Sequence, residues 1–283
     1  MITSARAMDP TAGWRFLNSG FHSGAHNMRV DELLARRLLE NEGWPTLRVY
    51  GWEPHAVSLG YNQRRHDFDE SRCALNGIDI VRRPTGGRAI LHAEELTYSV
   101  VMPANGKSIE DVYCEISKAL ERGLQMLGAD VAYSATQPQF AQLYRTQSSI
   151  PCFASSARYE IQYRGKKLVG SAQRRYVSPG GAEVVLQHGS ILIGAEHKRL
   201  AELVSIQDEE VYAAIQHDLN AKTIELSSIL CRDVRFEEVA RAVRDGFERE
   251  WNVDFIESDF DELEPNPESE LFHILTCNEK VVL

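Results

Sequence analysis

One segment of the chain joins paired glycines to several arginines in a way that suits an anionic or acyl ligand. It runs Arg82-Arg83-Pro84-Thr85-Gly86-Gly87-Arg88, follows a predicted strand and precedes His92. Paired glycines let a backbone approach a ligand closely, and exposed amides beside arginines can hold a phosphate or a carboxylate. The segment lacks the Gly-Lys-Ser/Thr of a nucleotide-binding phosphate loop. A tight turn with exposed arginines explains the glycines equally well, but the strand and the histidine favour a binding loop.

A second segment, GKKLVGSAQ at residues 165–173, places a lysine among small and apolar residues. Strand alternation predicts that Lys167, Val169 and Ser171 share one face. A lysine in such surroundings can donate to a carbonyl oxygen and stabilise negative charge that develops on it. The alternative is an exposed lysine beside a hairpin turn, which is the usual environment of this residue type.

A third segment interrupts the apolar strand VVLQHGSILI with Gln187, His188, Gly189 and Ser190. Polar residues and a glycine inside a buried strand indicate a floor that a ligand approaches. A core histidine with satisfied hydrogen bonds beside a bulge fits the same pattern. Both interpretations stay open from these residues alone.

The cysteines are scattered and odd in number, which argues against a disulfide framework and a structural zinc site. No group of residues has metal-ligand spacing, so no metal site is predicted. A reducing cytoplasm is the expected compartment.

Cys152 follows a long polar loop, and nearby cations would lower the pKa of its thiol. A buried, unreactive cysteine is the alternative. The residues alone do not separate it from the others, which are Cys73, Cys114, Cys231 and Cys277.

Hydrophobic periodicity predicts a mixed α/β chain, with strands in its first two thirds and helices in its last third. Ser108 and Asp111 mark the start of the clearest helix, and Gly128 marks its end. A hairpin is predicted over 159–176 with its turn at Arg164-Gly165. The other predicted elements are helices over 26–42, 67–75 and 236–251, and strands over 46–50, 56–61, 78–81, 96–102 and 184–193.

Length and charge narrow the classes of function. The 283 residues are 43% hydrophobic, which is an ordinary globular composition, and their net charge of −10 is unlike that of a nucleic-acid binder. No apolar stretch is long enough for a membrane span, and no signal peptide is recognisable. Six bases between 158 and 175 suit a specific anionic partner, but on charge alone a solvated hairpin face is the favoured interpretation. The predicted organisation is a tail over 1–13, a catalytic domain over 14–255 and an acidic tail over 256–283.

Taken together, the three segments RRPTGGRAILHAEELTYSV, GKKLVGSAQ and QHGSILI resemble, in order and spacing, the lipoate-protein ligase and octanoyltransferase family. The biotin-protein ligases are relatives of this family. The resemblance covers roughly residues 14–250. It implies an α/β (α+β) fold in which helices flank a bent mixed β-sheet and the acyl chain lies in a tunnel.

The resemblance also assigns site residues. Lys167 would contact the acyl carbonyl, and PCFASSARYE resembles the Cys-Phe segment of the cysteine-dependent octanoyltransferases, which selects Cys152 as the nucleophile. Ala154-Ser155-Ser156 departs from the Asp- or Pro-containing turn expected after that Cys-Phe pair. The residues implied to bind the acyl substrate are Arg82, Arg83, Thr85, Gly86, Gly87, Arg88, His92, Gly170, Ser171, His188, Gly189 and Ser190.

By resemblance, the expected reaction moves octanoyl from acyl carrier protein to a lysine of a lipoyl domain, such as the glycine cleavage H protein or a 2-oxoacid dehydrogenase E2. We expect a cytoplasmic monomer without cofactor. One alternative is an ATP- and Mg²⁺-dependent lipoate ligase, but only about 30 residues follow the last helix, too few for the extra domain of such ligases. The others are an amidotransferase between lipoyl-domain proteins and a non-catalytic acyl-binding subunit.

Overall fold

A computed structural model describes residues 13–134, 160–205 and 208–257. The strands are β1 Trp14–His22, β2 Thr46–Trp52, β3 Ala56–Leu59, β4 Asp79–Arg82, β5 Ile90–His92, β6 Glu95–Pro103, β7 Ala132–Ser134, β8 Glu160–Tyr163, β9 Lys166–Val177, β10 Glu183–Leu192 and β11 Phe255–Glu257. The helices are α1 Gly24–Leu39, α2 Glu70–Leu75, α3 Ile109–Met126, α4 Glu209–Lys222, α5 Leu226–Leu230 and α6 Phe236–Trp251. Short 3-10 helices cover Arg65–Asp67 and Glu196–Leu203.

The strands form one large mixed sheet and one small sheet. The large sheet has the order β11-β1-β2-β6-β10-β9-β8-β7, and the small sheet has the order β4-β3-β5. In the large sheet β1 runs parallel to β2 and β11, while the remaining pairs are antiparallel. The mixed α/β fold with flanking helices that the sequence implies is confirmed.

Different helices cover the two faces of the large sheet. On one face Val101, Val184 and Leu186 pack with the apolar side of α1. Their strand neighbours, such as Val100 and Val185, point the other way and join the core that contains α3 and α6. This alternation is the period of two expected for strands buried on both sides. Among the described residues, no helix is both long and apolar enough to cross a bilayer.

Several local predictions are confirmed. Ser108 and Asp111 make both hydrogen bonds of a capping box at the start of α3. Arg164 and Gly165 take positive φ angles of 50° and 79° in the turn between β8 and β9. The predicted helix over 26–42 is displaced, because Ser23 caps α1 and the helix ends at Leu39.

Two short strands were not predicted, and some predictions concern residues outside the described ranges. The hydrophobic pattern does not predict β5 or β11, which are only three residues long. Ile256 and Glu257, placed in the acidic tail, pair with β1 as part of β11. The tail over 1–12, the polar loop over 135–151 and the rest of the acidic tail lie outside the described residues.

Helices α3 and α6 cross so closely that the crossing requires glycines. A Cβ on Gly123 would collide with the backbone carbonyl of Ala242, and one on Gly246 would collide with the carbonyl of Ala119. Backbone atoms cannot yield as side chains do, so the helices would have to separate.

We therefore expect Gly123→Ala to lower the free energy of unfolding by about 1–3 kcal/mol, since overpacking outweighs any gain in helix propensity. Urea unfolding followed by circular dichroism measures the effect. Gly180→Ala is the control, because only a flexible serine hydroxyl lies near that position. Equal stability of the two variants would contradict the close helix crossing.

Candidate active site

A narrow cavity lies between the large and small sheets and collects the three predicted segments. Residues from the Arg82–Arg88 loop region, from β9 and from β10 line it together, as the sequence predicts for a single site. Its lining residues are Met28, Tyr50, Trp52, Ser58, Arg83, Ile90, His92, Thr97, Gly170, Ser171, Ala172, His188, Gly189 and Ser190.

A buried ion pair underlies one wall of the cavity. Asp31 of α1 and Arg48 of β2 are both fully buried, and Arg48 Nη1 donates to Asp31 Oδ1 at 2.8 Å. Arg48 also donates to the Asn27 side chain at 2.8 Å and to Ser19 at 2.9 Å. Burial acts to raise the pKa of Asp31, but the hydrogen bond with His188 and the charge of Arg48 lower it overall. The carboxylate therefore stays ionised, as a buried charge with good partners does.

The same carboxylate orients His188. His188 Nδ1 lies 3.0 Å from Asp31 Oδ2, and His188 Nε2 lies 2.7 Å from the Thr85 hydroxyl. An ionised carboxylate only accepts, so Nδ1 carries the proton, and in the neutral ring Nε2 accepts from Thr85. Tyr50 donates to Asp31 at 2.9 Å, and burial raises the pKa of Tyr50 well above its usual range. Both ring nitrogens of His188 are thus engaged within the protein.

A second relay holds His92 on the opposite wall. Its Nε2 lies 2.7 Å from Ser58 Oγ, and its Nδ1 lies 3.2 Å from Ser190 Oγ and 3.4 Å from Glu95 Oε1. Burial lowers the pKa of His92 despite the opposing effect of Glu95, so the ring is neutral at pH 7. Trp52 stacks on this ring with centroids 3.9 Å apart. The stacked pair also borders an open cleft on its other side.

The glycine-rich loop uses its first two arginines to hold its own shape. Arg83 is buried and donates to the carbonyls of Ser58, Gly86 and Arg88. Arg82 donates instead to the carbonyls of residues 60, 61 and 63. The sequence predicts that these guanidinium groups bind an anion. In the structure they donate hydrogen bonds to backbone carbonyl oxygens, and these bonds keep a loop with few side chains rigid.

Small residues make room for the cavity floor. A Cβ on Gly189 would collide with the Gly170 carbonyl, so β10 approaches β9 there more closely than another residue would allow. Ser171 Oγ lies 2.6 Å from the Tyr98 hydroxyl, and burial raises the pKa of Tyr98 to about 12. The predicted floor around His188, Gly189 and Ser190 is therefore present.

Lys167 is buried rather than exposed, and it lies beside a carboxylate that the sequence did not single out. Its side chain is 6% exposed and its Nζ lies 2.6 Å from Oε1 of Glu160, whose side chain is 4% exposed. Strict alternation predicted that Lys167 shares a face with Val169 and Ser171. The register between β8 and β9 shifts at this point, because Ile161 pairs with Val169 but Gln162 pairs with Lys167. This bulge turns Lys167 toward Glu160, and the face prediction is wrong for that reason.

The basic segment is partly used inside the fold. Lys166 donates to the Asn220 carbonyl, Arg174 to the Pro84 carbonyl, and Arg175 pairs with Glu183 at 3.1 Å. Arg158 lies outside the described residues. A docking role for this segment stays a prediction.

Sequence reasoning missed Asp31, Arg48 and Glu160. A signal existed for Asp31, which occupies the apolar face of α1 three residues before Leu34 and is fully buried. Arg48 stands between the buried Leu47 and Val49 of β2. Two opposite charges in buried patterns suggest a pair, but the pattern does not say which charges meet.

Cys152 lies outside the described residues, so its predicted role as nucleophile stays a prediction. Within the described ranges, no group of three or more His, Cys, Asp or Glu side chains is placed to hold a metal ion.

Most of this chain is similar to known protein sequences. Residues 23–248 match the family model for the lipoyl protein ligase A/B catalytic domain. Octanoyltransferase LipM of Geobacillus kaustophilus is 36% identical over 247 residues, which cover 85% of this chain and 87% of that protein. Its namesake in Kyrpidia tusciae is 38% identical over 239 residues, covering 83% and 85%. The Bacillus subtilis protein of the same name is 34% identical over 247 residues, covering 85% and 87%.

Solved structures show the same fold. A lipoate-protein ligase A bound with ATP superposes with a TM-score of 0.71 at 22% identity, covering 94% of this chain and 93% of that one. A bi-partite lipoate protein ligase from Thermoplasma acidophilum, solved in a study of an archaeal lipoylation system that includes its E2 lipoyl domain, gives a TM-score of 0.69 at 20% identity, covering 94% and 91%.

Asp31→Asn should lower the free energy of unfolding at pH 7 by about 3–5 kcal/mol, because Arg48 would remain buried without its counter-charge. Folding lowers the pKa of Asp31, so the carboxylate stabilises the fold at pH values above the pKa of the unfolded chain, near 3.8. This stabilisation is lost as the pH falls through the lower pKa of the folded protein. The difference in unfolding free energy between wild type and variant should therefore shrink at low pH.

Urea unfolding at pH 7 and at pH 3 measures both effects. Asp79→Asn, at an exposed position, is the control. A deficit that is small at pH 7, or that does not change with pH, would contradict the buried pair.

Proposed function

The chain belongs to the lipoyl protein ligase A/B catalytic-domain family and is an octanoyltransferase of protein lipoylation, and we propose that it works through a thioester on Cys152. The donor is octanoyl-acyl carrier protein, and the acceptor is a lysine of a lipoyl domain, as in the glycine cleavage H protein or a 2-oxoacid dehydrogenase E2. The enzyme acts in the cytoplasm as a monomer and needs no cofactor.

The narrow cavity is the observation that supports acyl binding most directly. Its polar groups already bond to one another, as in the Asp31–His188–Thr85 and Ser58–His92–Ser190 relays. An alkyl chain that enters therefore deprives no buried group of a partner, which would cost about 1–3 kcal/mol for each group. Arg83, Thr97 and Ser171 of the lining are also hydrogen-bonded within the protein. Apolar side chains such as Met28 and Ile90, the Trp52 ring and glycines make up much of the rest.

In the first half-reaction the Cys152 thiolate attacks the carbonyl carbon of the octanoyl thioester. The carbon–sulfur bond to the carrier breaks, and the carrier leaves as its thiol once a proton reaches its sulfur. Lys167 donates a hydrogen bond to the oxygen that becomes negative in the transition state. The exchange of one thioester for another is nearly isoenergetic, so no activation by ATP is needed.

In the second half-reaction the uncharged amine of the acceptor lysine attacks the acyl-enzyme. The new carbon–nitrogen bond gives an amide, the nitrogen loses a proton, and Cys152 leaves as its thiol. Conversion of a thioester to an amide is downhill, which makes the overall transfer irreversible in practice. Lipoyl domains and carrier proteins are typically acidic, so exposed bases of the 158–175 segment provide a docking surface.

Cys152→Ala should abolish acyl-enzyme formation. Intact mass is measured after the purified protein is mixed with octanoyl-acyl carrier protein without ATP. The wild-type protein gains one octanoyl group that hydroxylamine removes, whereas the variant gains none. Cys114→Ala and Cys231→Ala are matched controls that keep the adduct. Activation of octanoate or lipoate only when ATP and Mg²⁺ are added would assign the protein to the ligases instead.

Lys167→Met should slow the formation of the Cys152 thioester by roughly 100- to 1000-fold, the usual effect of removing one donor to an oxyanion. Quenched-flow mass measurement gives the rate. Lys222→Met is the control, since this exposed lysine of α4 lies outside the 158–175 segment and pairs with Asp218. Circular dichroism checks the fold, and combination with Glu160→Gln removes the carboxylate that faced Lys167. An unchanged rate in a folded Lys167→Met protein would exclude Lys167 from the chemistry.

A further inference from the structure

A buried lysine keeps its proton only where the structure supplies a counter-charge. Lys167 and Glu160 are each about 5% exposed, which removes most of the water that would solvate their charges. Without an opposite charge, burial shifts the pKa of a lysine down by several units and the amine becomes neutral. A neutral amine is a much weaker donor to an oxyanion than an ammonium group.

We propose that Glu160 is a positioning residue of the acyl transfer, whose carboxylate keeps the Lys167 ammonium charged and directs it toward the reacting carbonyl. The proposal rests on the role of Lys167 in the proposed function. Glu160 itself touches no reacting atom, and it acts through the contact of 2.6 Å between its Oε1 and Lys167 Nζ.

The backbone of Lys167 is fixed from the opposite side. Ile224 N donates to the Lys167 carbonyl at 3.0 Å, and Lys167 pairs with Thr223 in a parallel bridge. At the same place β9 leaves its regular pairing with β8, so the bulge and the Thr223–Ile224 segment together fix the backbone position of Lys167. Glu160, the first residue of β8, holds the Nζ end of the Lys167 side chain. A long side chain held at both ends loses most of its freedom before substrate arrives.

Among the residues that the structure describes, the other ionisable groups around this point are occupied or uncharged. Thr223 contacts His197, whose pKa burial lowers to about 4, so that ring is neutral at pH 7. Glu225 pairs with Lys198 at 3.1 Å. Asp218, on the α4 turn before Thr223, pairs with Lys222 at 2.8 Å. Lys166 extends to the Asn220 carbonyl of α4. On β10 the last residue paired with β9 is Ile191, which faces Val169 and carries no charge.

The cavity histidines do not replace Glu160 in this task. Both ring nitrogens of His188 and of His92 are within 3.2 Å of partners inside the protein. Among the described residues, Glu160 is therefore the carboxylate that lies against the Lys167 amine.

The test compares the pH dependence of acyl-enzyme formation in the wild type, Glu160→Gln and Glu160→Asp. In Glu160→Gln the buried ammonium loses its counter-charge, so the alkaline limb of the rate profile should move down by about 1–3 pH units. The rate at pH 8 should fall at least about tenfold as the protonated fraction drops with that shift. Glu160→Asp keeps the charge at a longer distance and should show a smaller shift.

A second readout follows Lys167 directly. At pH 7.5, acetic anhydride should acetylate Lys167 faster in Glu160→Gln than in the wild type, and peptide mass spectrometry measures the rate. A purely structural role would not produce this increase in a folded variant. Glu183→Gln removes the partner of Arg175 in the same sheet and should leave both readouts unchanged.

The outcomes are distinguishable. If the wild type forms the Cys152 thioester, Lys167→Met is slow, and Glu160→Gln has a wild-type pH profile and reactivity, the proposal for Glu160 is overturned. If the wild type forms no thioester, the proposed function fails instead. Should Glu160→Gln not fold, Glu160→Asp decides, because an unshifted profile in that folded variant overturns the proposal.

Discussion

The fold places a complete ion pair, Asp31 with Arg48, in its interior, and the geometry of the cavity depends on it. Each of these charges alone would be expensive to bury, and together they are acceptable only with further hydrogen bonds. Asn27, Ser19, Tyr50 and His188 supply those bonds. They come from β1, α1, β2 and β10, so one cluster fixes α1 relative to three strands of the large sheet. A hydrophobic contact between α1 and the sheet would tolerate sliding, but this directional cluster does not.

The second constraint is that the cavity must remain narrow and free of unsatisfied polar groups. Histidines, serines and an arginine line it, which is unusual for a site that receives an alkyl chain. The relays solve this problem by pairing the polar atoms with one another before substrate binds. Gly189 solves the spatial problem, since β10 can approach the Gly170 backbone only where there is no Cβ. The hydrogen-bonded polar residues keep the cavity rigid, and Gly189 leaves space because it has no side chain.

The sequence predicts well those features that depend on neighbouring residues. Capping of α3 by Ser108, the turn at Arg164-Gly165 and the apolar face of α6 are local, and the structure confirms all three. The three glycine-containing segments are predicted to form one site because, in order and spacing, they resemble the motifs of one family.

Features that depend on distant partners were not predictable in the same way. Asp31 meets an arginine 17 positions away, and this choice is made by packing rather than by pattern. Lys167 was assigned to the wrong face because one extra residue in β9 breaks the period of two, and a bulge leaves no mark in a hydrophobic pattern. The sequence shows the charges of Arg82 and Arg83 but not the backbone carbonyls to which they donate, and their predicted contact with a ligand stays a prediction.

Two buried ion pairs of this protein have different neighbours, and this difference indicates that they have different roles. Asp31 and Arg48 are surrounded by further hydrogen bonds and are fully buried, so their charges are neutralised within the scaffold. Lys167 lies at the bulged start of β9 and Glu160 begins β8, which follows the segment that carries Cys152 in the sequence. A charge at such a place can respond to a substrate carbonyl, whereas a charge inside a saturated cluster cannot. Under the proposed mechanism, the binding of the acyl chain and the chemistry at its carbonyl would depend on separate networks. A change in one of them alters affinity or rate without necessarily altering the other.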